Sequence, residues 1–96
     1  MATPTAARAV HATLTAATVD TATLTSPTGR FAIINRGTDT ISYLFGGATS
    51  ADPTALGNDC FVVPGSATVT HDWNASSALV VKLISAGTPG YSIEAV

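Results

Sequence analysis

Residues 78–95, ALVVKLISAGTPGYSIEA, contain the densest apolar run of the chain, then a turn, then a second run that alternates. In the first run Leu79, Val81 and Leu83 share one parity; in the second, Tyr91, Ile93 and Ala95 alternate with Ser92 and Glu94. A period of two sends successive side chains to opposite faces of a strand, whereas a helix requires apolar positions three and four apart. Ala86-Gly87-Thr88-Pro89-Gly90 between them is turn chemistry, because Pro fixes φ and Gly frees it. The segment therefore predicts two strands, the first of them, as the most apolar of the chain, central in its sheet.

Working outward, the same signature recurs. Residues 30–35 (RFAIIN) form a short apolar run ending in Asn35-Arg36-Gly37-Thr38-Asp39, a polar hairpin-like connection. Residues 40–45 follow, with Ile41, Tyr43 and Phe45 on one face. Residues 46–59 are rich in Gly, Asp, Ser and Pro and predict a long loop. Residues 60–63 are a strand closed by Pro64-Gly65, which fits the central pair of a type II turn. Residues 67–72 alternate Ala67, Val69 and His71 against Thr68 and Thr70. About eight short strands with Gly/Pro turns and no helical periodicity predict an all-β fold, a small antiparallel β-sandwich or barrel.

The first 28 residues are mostly Ala and Thr, with only Arg8 and Asp20 charged. Strand patterns occur at Val10, Ala12, Leu14 and at residues 19–24, but the segment has little apolar bulk to bury. It is expected as an extended N-terminal arm over residues 1–29, separated by Ser26-Pro27-Thr28-Gly29 from a compact body over residues 30–96. An arm of this composition is expected to be held by a neighbouring copy or a partner shell, with Val10, Ala12, Leu14, Val19 and Leu24 as its contacts.

Composition narrows the function classes. Charged residues are 10% of the chain, against about 25% in ordinary soluble domains. Charge is depleted at interface cores, so a surface this poor in charge suits a protein covered by partners. The formal net charge of -2 gives no basic footprint for nucleic acid. The apolar runs fall far short of the roughly 20 residues of a membrane span, and no secretory leader pattern is visible. A single cysteine, Cys60, excludes an intrachain disulfide. A body of this size buries only about 60% of its unfolded surface, so oligomerisation or docking is the expected stabiliser.

No constellation announces chemistry. His71-Asp72 is the nearest approach to a catalytic pair, yet strand neighbours face opposite ways. His11, His71 and Cys60 lack the short ligand spacing of a zinc site. Asp39, Asp52 and Asp59 lack the alternate spacing of a calcium loop. Gly46-Gly47 has no following Lys-Ser/Thr or helix to make a phosphate cradle. No catalytic residue, cofactor or metal is therefore expected. Trp73, the single tryptophan, is expected either to cap the core or to anchor a partner or a sugar.

The succession FAIINRGTDTISYLF, DCFVVPGSATV and VVKLISAGTPGYSIE resembles small all-β structural proteins of tailed bacteriophage virions. The matching positions are Asn35 to Gly37, Val63 to Gly65 and Val81 to Glu94, within a likeness that covers residues 30–96. The resemblance implies a virion component without catalysis, a capsid decoration or cement protein assembled in the host cytoplasm. It implies as partners the major capsid protein and copies of the chain itself, as a trimer or other homo-oligomer bridging capsomers. Two alternatives remain open: a tail, tail-tip or head–tail connector subunit, or a glycan- or receptor-binding β-module using Trp73, Tyr91 and the long loop.

Overall fold

The computed structural model describes residues 2–47 and 51–96. Part of the predicted long loop, residues 48–50, therefore lies outside the described residues. Nine strands and no helix are present among them: β1 (Thr5–Ala6), β2 (Ala9–Thr13), β3 (Asp20–Leu24), β4 (Arg30–Asn35), β5 (Ile41–Gly46), β6 (Phe61–Val63), β7 (Thr68–Asp72), β8 (Leu79–Ile84) and β9 (Gly90–Ala95). The all-β class is as the sequence predicts, and each predicted strand is found within a residue or two of its expected bounds. β1 was not anticipated.

Two sheets form, one ordered β1-β3-β8-β5-β6 and the other β2-β9-β4-β7. Their connectivity is that of a rolled ribbon. β2 pairs with β9, β3 with β8, β4 with β7 and β5 with β6, all antiparallel. One long two-stranded ribbon, folded at the β5–β6 loop, thus coils so that successive pairs fall alternately in the two sheets. The contacts β4–β9 and β5–β8 stitch neighbouring turns of the coil together. This is the jelly-roll way of closing a small β structure.

The core is the inward parity of both sheets. Phe31, Ile33, Ile41, Val63, Leu79, Val81, Leu83, Tyr91 and Ile93 are fully buried. β8 lies between β3 and β5, the central position expected for the most apolar run.

The N-terminal segment corrects the expected division into arm and body. Val10, Leu14, Ala22 and Leu24 are buried in the same core as the residues of 30–96. The reason is pairing. Without β3 the apolar β8 would be left as an edge, and without β2 so would β9. The small Ala22 and the alternating pattern of β3, with Asp20, Ala22 and Leu24 buried, suit a strand lying against another sheet. Only residues 2–7 lie on the rim: Thr21, Thr23 and Thr25 donate their backbone N–H to the carbonyls of Ala2, Pro4 and Ala6, which makes β1 a parallel edge strand on β3.

One end of the roll is knitted shut by four turns. Asn35 organises it: its Nδ2 donates to the carbonyls of Asp39 and Val63, and its Oδ1 accepts from Gly37 N–H. Arg36 reaches across to the carbonyls of Ala12 and Tyr91, and Leu14 N–H donates to Pro89 O. The β6–β7 turn differs from expectation. Ala67 N–H donates to Pro64 O, so the central pair is Gly65-Ser66, and the positive φ of 61° falls on Ser66. Gly65 is required for space: a Cβ there would lie 2.3 Å from the Thr38 carbonyl oxygen.

Candidate functional site

The opposite end of the roll is where the aromatic residues gather. The chain has three Phe, two Tyr and one Trp. Strand direction places Phe31 at the start of β4, Phe45 near the end of β5, Phe61 at the start of β6 and Trp73 just past β7. With Tyr43 they form a contiguous cluster, and among the aromatic residues only Tyr91 lies outside it. His71 sits within it, its ring 4.5 Å from Phe45, 5.2 Å from Phe61, 5.5 Å from Phe31 and 5.6 Å from Tyr43, centroid to centroid. Phe45 bridges outward, 5.7 Å from Phe61 and 6.4 Å, edge-on, from Trp73.

This cluster is open on one side. β6 ends one sheet and β7 ends the other, and among the described residues no strand lies over the gap beside their hairpin. Phe61 is consequently 49% exposed although its parity is that of the buried Val63. Phe45, His71 and Trp73 are half-buried. Trp73 is held rather than swinging, with its Nε1–H donating to Ser77 O at 3.2 Å and its backbone N–H to Gly29 O.

The polar chemistry at this opening is a neutral one. The Tyr43 hydroxyl and His71 Nε2 are 2.5 Å apart. Burial pushes the Tyr43 phenol up to about 12, so the hydroxyl keeps its proton and donates. Burial also lowers the His71 pKa, the nearby Asp72 opposing it. A neutral imidazole that accepts at Nε2 carries its proton on Nδ1. Asp72, its sequence neighbour, faces away and pairs with Arg30 at 3.3 Å, as opposite strand faces require.

The remaining candidates do not converge. Val10, Leu14 and Leu24, expected to grip a partner, are core residues and present no surface; Ala12 and Val19 are half-buried. Of the six expected contact residues, Trp73 alone lies at an opening. His11 is on β2 and His71 on β7, opposite edges of one sheet, and His11 Nδ1 is bound to Ser92 Oγ at 2.7 Å. No group of three or more His, Cys, Asp or Glu that could hold a metal ion occurs among the described residues. Asp52 pairs with Lys82 at 2.9 Å, and Leu56 N–H donates to Ser42 Oγ. The long loop is thereby strapped over the outer face of its sheet, above a shallow cavity of about 220 Å³ between Thr40, Ser42, Leu56 and Ser85. Tyr91 is fully buried, so it cannot serve a sugar site. Alternation assigns Phe45 inward parity, and the short run at residues 60–63 gives Phe61 none; only the sheet order shows which inward positions lie at an open edge.

No protein-family model matches the chain, and no curated protein matches it. Among solved structures, it is similar to a de novo designed double-stranded β-helix determined by solution NMR, at 16% identity and a TM-score of 0.58. The match covers 91% of this chain and 96% of that one. At that identity the likeness concerns the fold alone, and it agrees with the rolled-ribbon connectivity described above.

Proposed function

We propose that the chain is a non-enzymatic virion structural protein, a capsid decoration or cement protein that docks on the head shell. The observation that carries the reading is the bare edge at β6 and β7. The guards this edge has stand at its margins, Pro64 in the turn after β6 and the exposed Asp72 at the last residue of β7; between them no side chain is charged, Val62 on the outer face of β6 is 43% exposed, and Leu56 of the strapped loop is 72% exposed. Natural sheet edges are guarded by charge, Pro or bulges unless something covers them. An unguarded edge accepts an added strand, with main-chain bonds supplying affinity and the flanking apolar side chains supplying fit. The resemblance of residues 30–96 to phage structural proteins supports the same reading. So does the fold class, by analogy only, since jelly rolls recur in viral shells and in lectins.

In this reading the shell contact is moved from the N-terminal segment, which the fold consumes, to the β6–β7 edge. The partners are the major capsid protein and further copies of the chain. Light scattering of the purified protein, followed by co-sedimentation with undecorated capsids, tests it. Near-stoichiometric binding that is lost in Val62→Lys supports the proposal. A wild-type protein that ignores shells removes it, and binding in few copies per particle transfers the role to a tail or connector subunit.

A further inference from the structure

We infer that the aromatic opening between β6 and β7 is a binding site for a neutral saccharide, stacked on Phe61 and Trp73 and hydrogen-bonded by His71. This inference does not depend on a virion location: the sugar would sit on the inward-parity rings between the sheets, whereas the proposed shell contact uses the outward Val62 and the strand edge.

Three observations carry it. The first is concentration: in a chain with 6% aromatic residues, all but one of them gather at this end of the roll. A core needs apolar volume there, but it does not need a half-exposed Phe. Phe61 stands 49% exposed beside the half-buried Phe45, in a gap where neither sheet has a further strand among the described residues. Ring faces offered at an opening bind the C–H faces of pyranose rings, as they bind other flat apolar surfaces.

The second is preorganisation. Trp73 is pinned by its indole N–H on Ser77 O and by its edge-on packing against Phe45. A ring already fixed in place loses little conformational entropy when a ligand stacks on it.

The third is the polar complement. A stacking site alone fits any apolar group, and a donor or acceptor aimed at the opening distinguishes a sugar from an alkyl chain. The half-buried His71 imidazole is the polar group among these rings: Tyr43 occupies Nε2, and in the proposed complex Nδ1–H donates to a ligand hydroxyl. Charge then selects among ligands with stackable rings. The cluster carries no formal charge, and Arg30 and Asp72 beside it offset each other. Asp59, exposed and close in sequence to Phe61, disfavours an anion. Nucleic acids and acidic polysaccharides need a basic surface that is absent here. A neutral glycan does not.

Trp73 is the single tryptophan, so its fluorescence reports on this opening directly. The protein is titrated with maltohexaose, cellohexaose and chitohexaose, with calorimetry in parallel and sedimentation velocity on the ligand-free protein. The expected result is a saturable change in Trp73 emission with at least one of these probes. Phe61→Ser weakens that binding by at least about tenfold, and Phe61→Tyr, which keeps the ring, retains it. Leu56→Ser, on the outer face, leaves it unchanged. Absence of a saturable change with all three sugars overturns the inference, as does equal binding by Phe61→Ser in a folded state. Self-association of the wild type that Phe61→Ser abolishes overturns it too, because a second copy then fills the opening.

Discussion

The Tyr91 hydroxyl donates to Oδ2 of Asp20 at 3.0 Å, with both side chains almost completely buried. The bond joins β9 in one sheet to β3 in the other, and so ties the N-terminal segment to the last strand of the chain. Oδ1 of the same carboxylate accepts from Ala2 N–H at 3.3 Å. Burial, then the Asp20 charge and this hydrogen bond, push the Tyr91 phenol above its ordinary 10.0. Hydrogen bonds to charged groups are worth about 1.5–3 kcal/mol when one partner is removed. Tyr91→Phe is therefore expected to lower the unfolding free energy by about that amount, read as a shift of the urea midpoint at unchanged m.

Leu24→Ala separates a structural N-terminal segment from a peripheral one. Leu24 is 1% exposed and lies within the common core. Truncating it is expected to cost about 2–5 kcal/mol, the range for a buried Leu that leaves a cavity. A detachable arm would show a change near zero, so equilibrium unfolding of this one variant discriminates the two.

The two tyrosines predict the alkaline titration. Tyr43 is raised to about 12 and Tyr91 is raised further. A phenol whose folded pKa exceeds its unfolded value resists ionisation until the fold opens. Phenolate absorbance is expected to stay flat through the ordinary value of 10.0 and then rise together with loss of the β circular dichroism signal. An independent rise near 10.0, with the fold intact, would contradict the burial of both rings.

His71 predicts the acid side. Its folded pKa lies below the ordinary 6.5, chiefly because its packing among rings disfavours the imidazolium. As pH falls through 6.5 the unfolded chain takes up the proton first, so stability falls with decreasing pH until the folded pKa is passed. The contribution is fully present above 6.5 and lost below it. Urea midpoints measured across this window are expected to slope in the wild type and to flatten in His71→Gln.

How far the sequence reaches is seen by comparing β4 with β1. β4 runs Arg30–Asn35, the bounds that the short apolar run and the following Asn-Arg-Gly turn predict. β1 is two residues long and parallel to β3, and it is held almost wholly by backbone bonds that leave no side-chain pattern. Leu14 and Leu24 show a different failure. Their alternation was legible, but the Ala and Thr around them suggested too little bulk for a core, and only the pairing of β3 with β8 shows that small residues suffice there. The candidate site was half legible. Trp73 stands out as a single tryptophan, whereas Phe61 and His71 meet at 5.2 Å only because the roll places β6 and β7 at neighbouring open edges.

The β6–β7 turn offers a test of why a glycine is where it is. Sequence alone assigns Gly65 to a positive φ, yet that conformation belongs to Ser66, at 61°. Gly65 instead faces the Thr38 backbone, and an added Cβ would stand 2.3 Å from its oxygen and 2.7 Å from its carbonyl carbon. Neither atom is the end of a flexible side chain, so the β4–β5 turn would have to move, breaking the Ser66 N–H to Gly37 O bond of 2.9 Å. Gly65→Ala is expected to destabilise by about 1–3 kcal/mol, the cost of overpacking a fitted site. Ser66→Gly relieves a left-handed conformation that costs an L-residue about 1–2 kcal/mol, offset in part by the greater freedom of glycine in the unfolded chain. It is expected to be neutral or stabilising by up to about 1 kcal/mol. Urea unfolding of both variants checks the assignment, and it fails if Gly65→Ala is tolerated while Ser66→Gly destabilises.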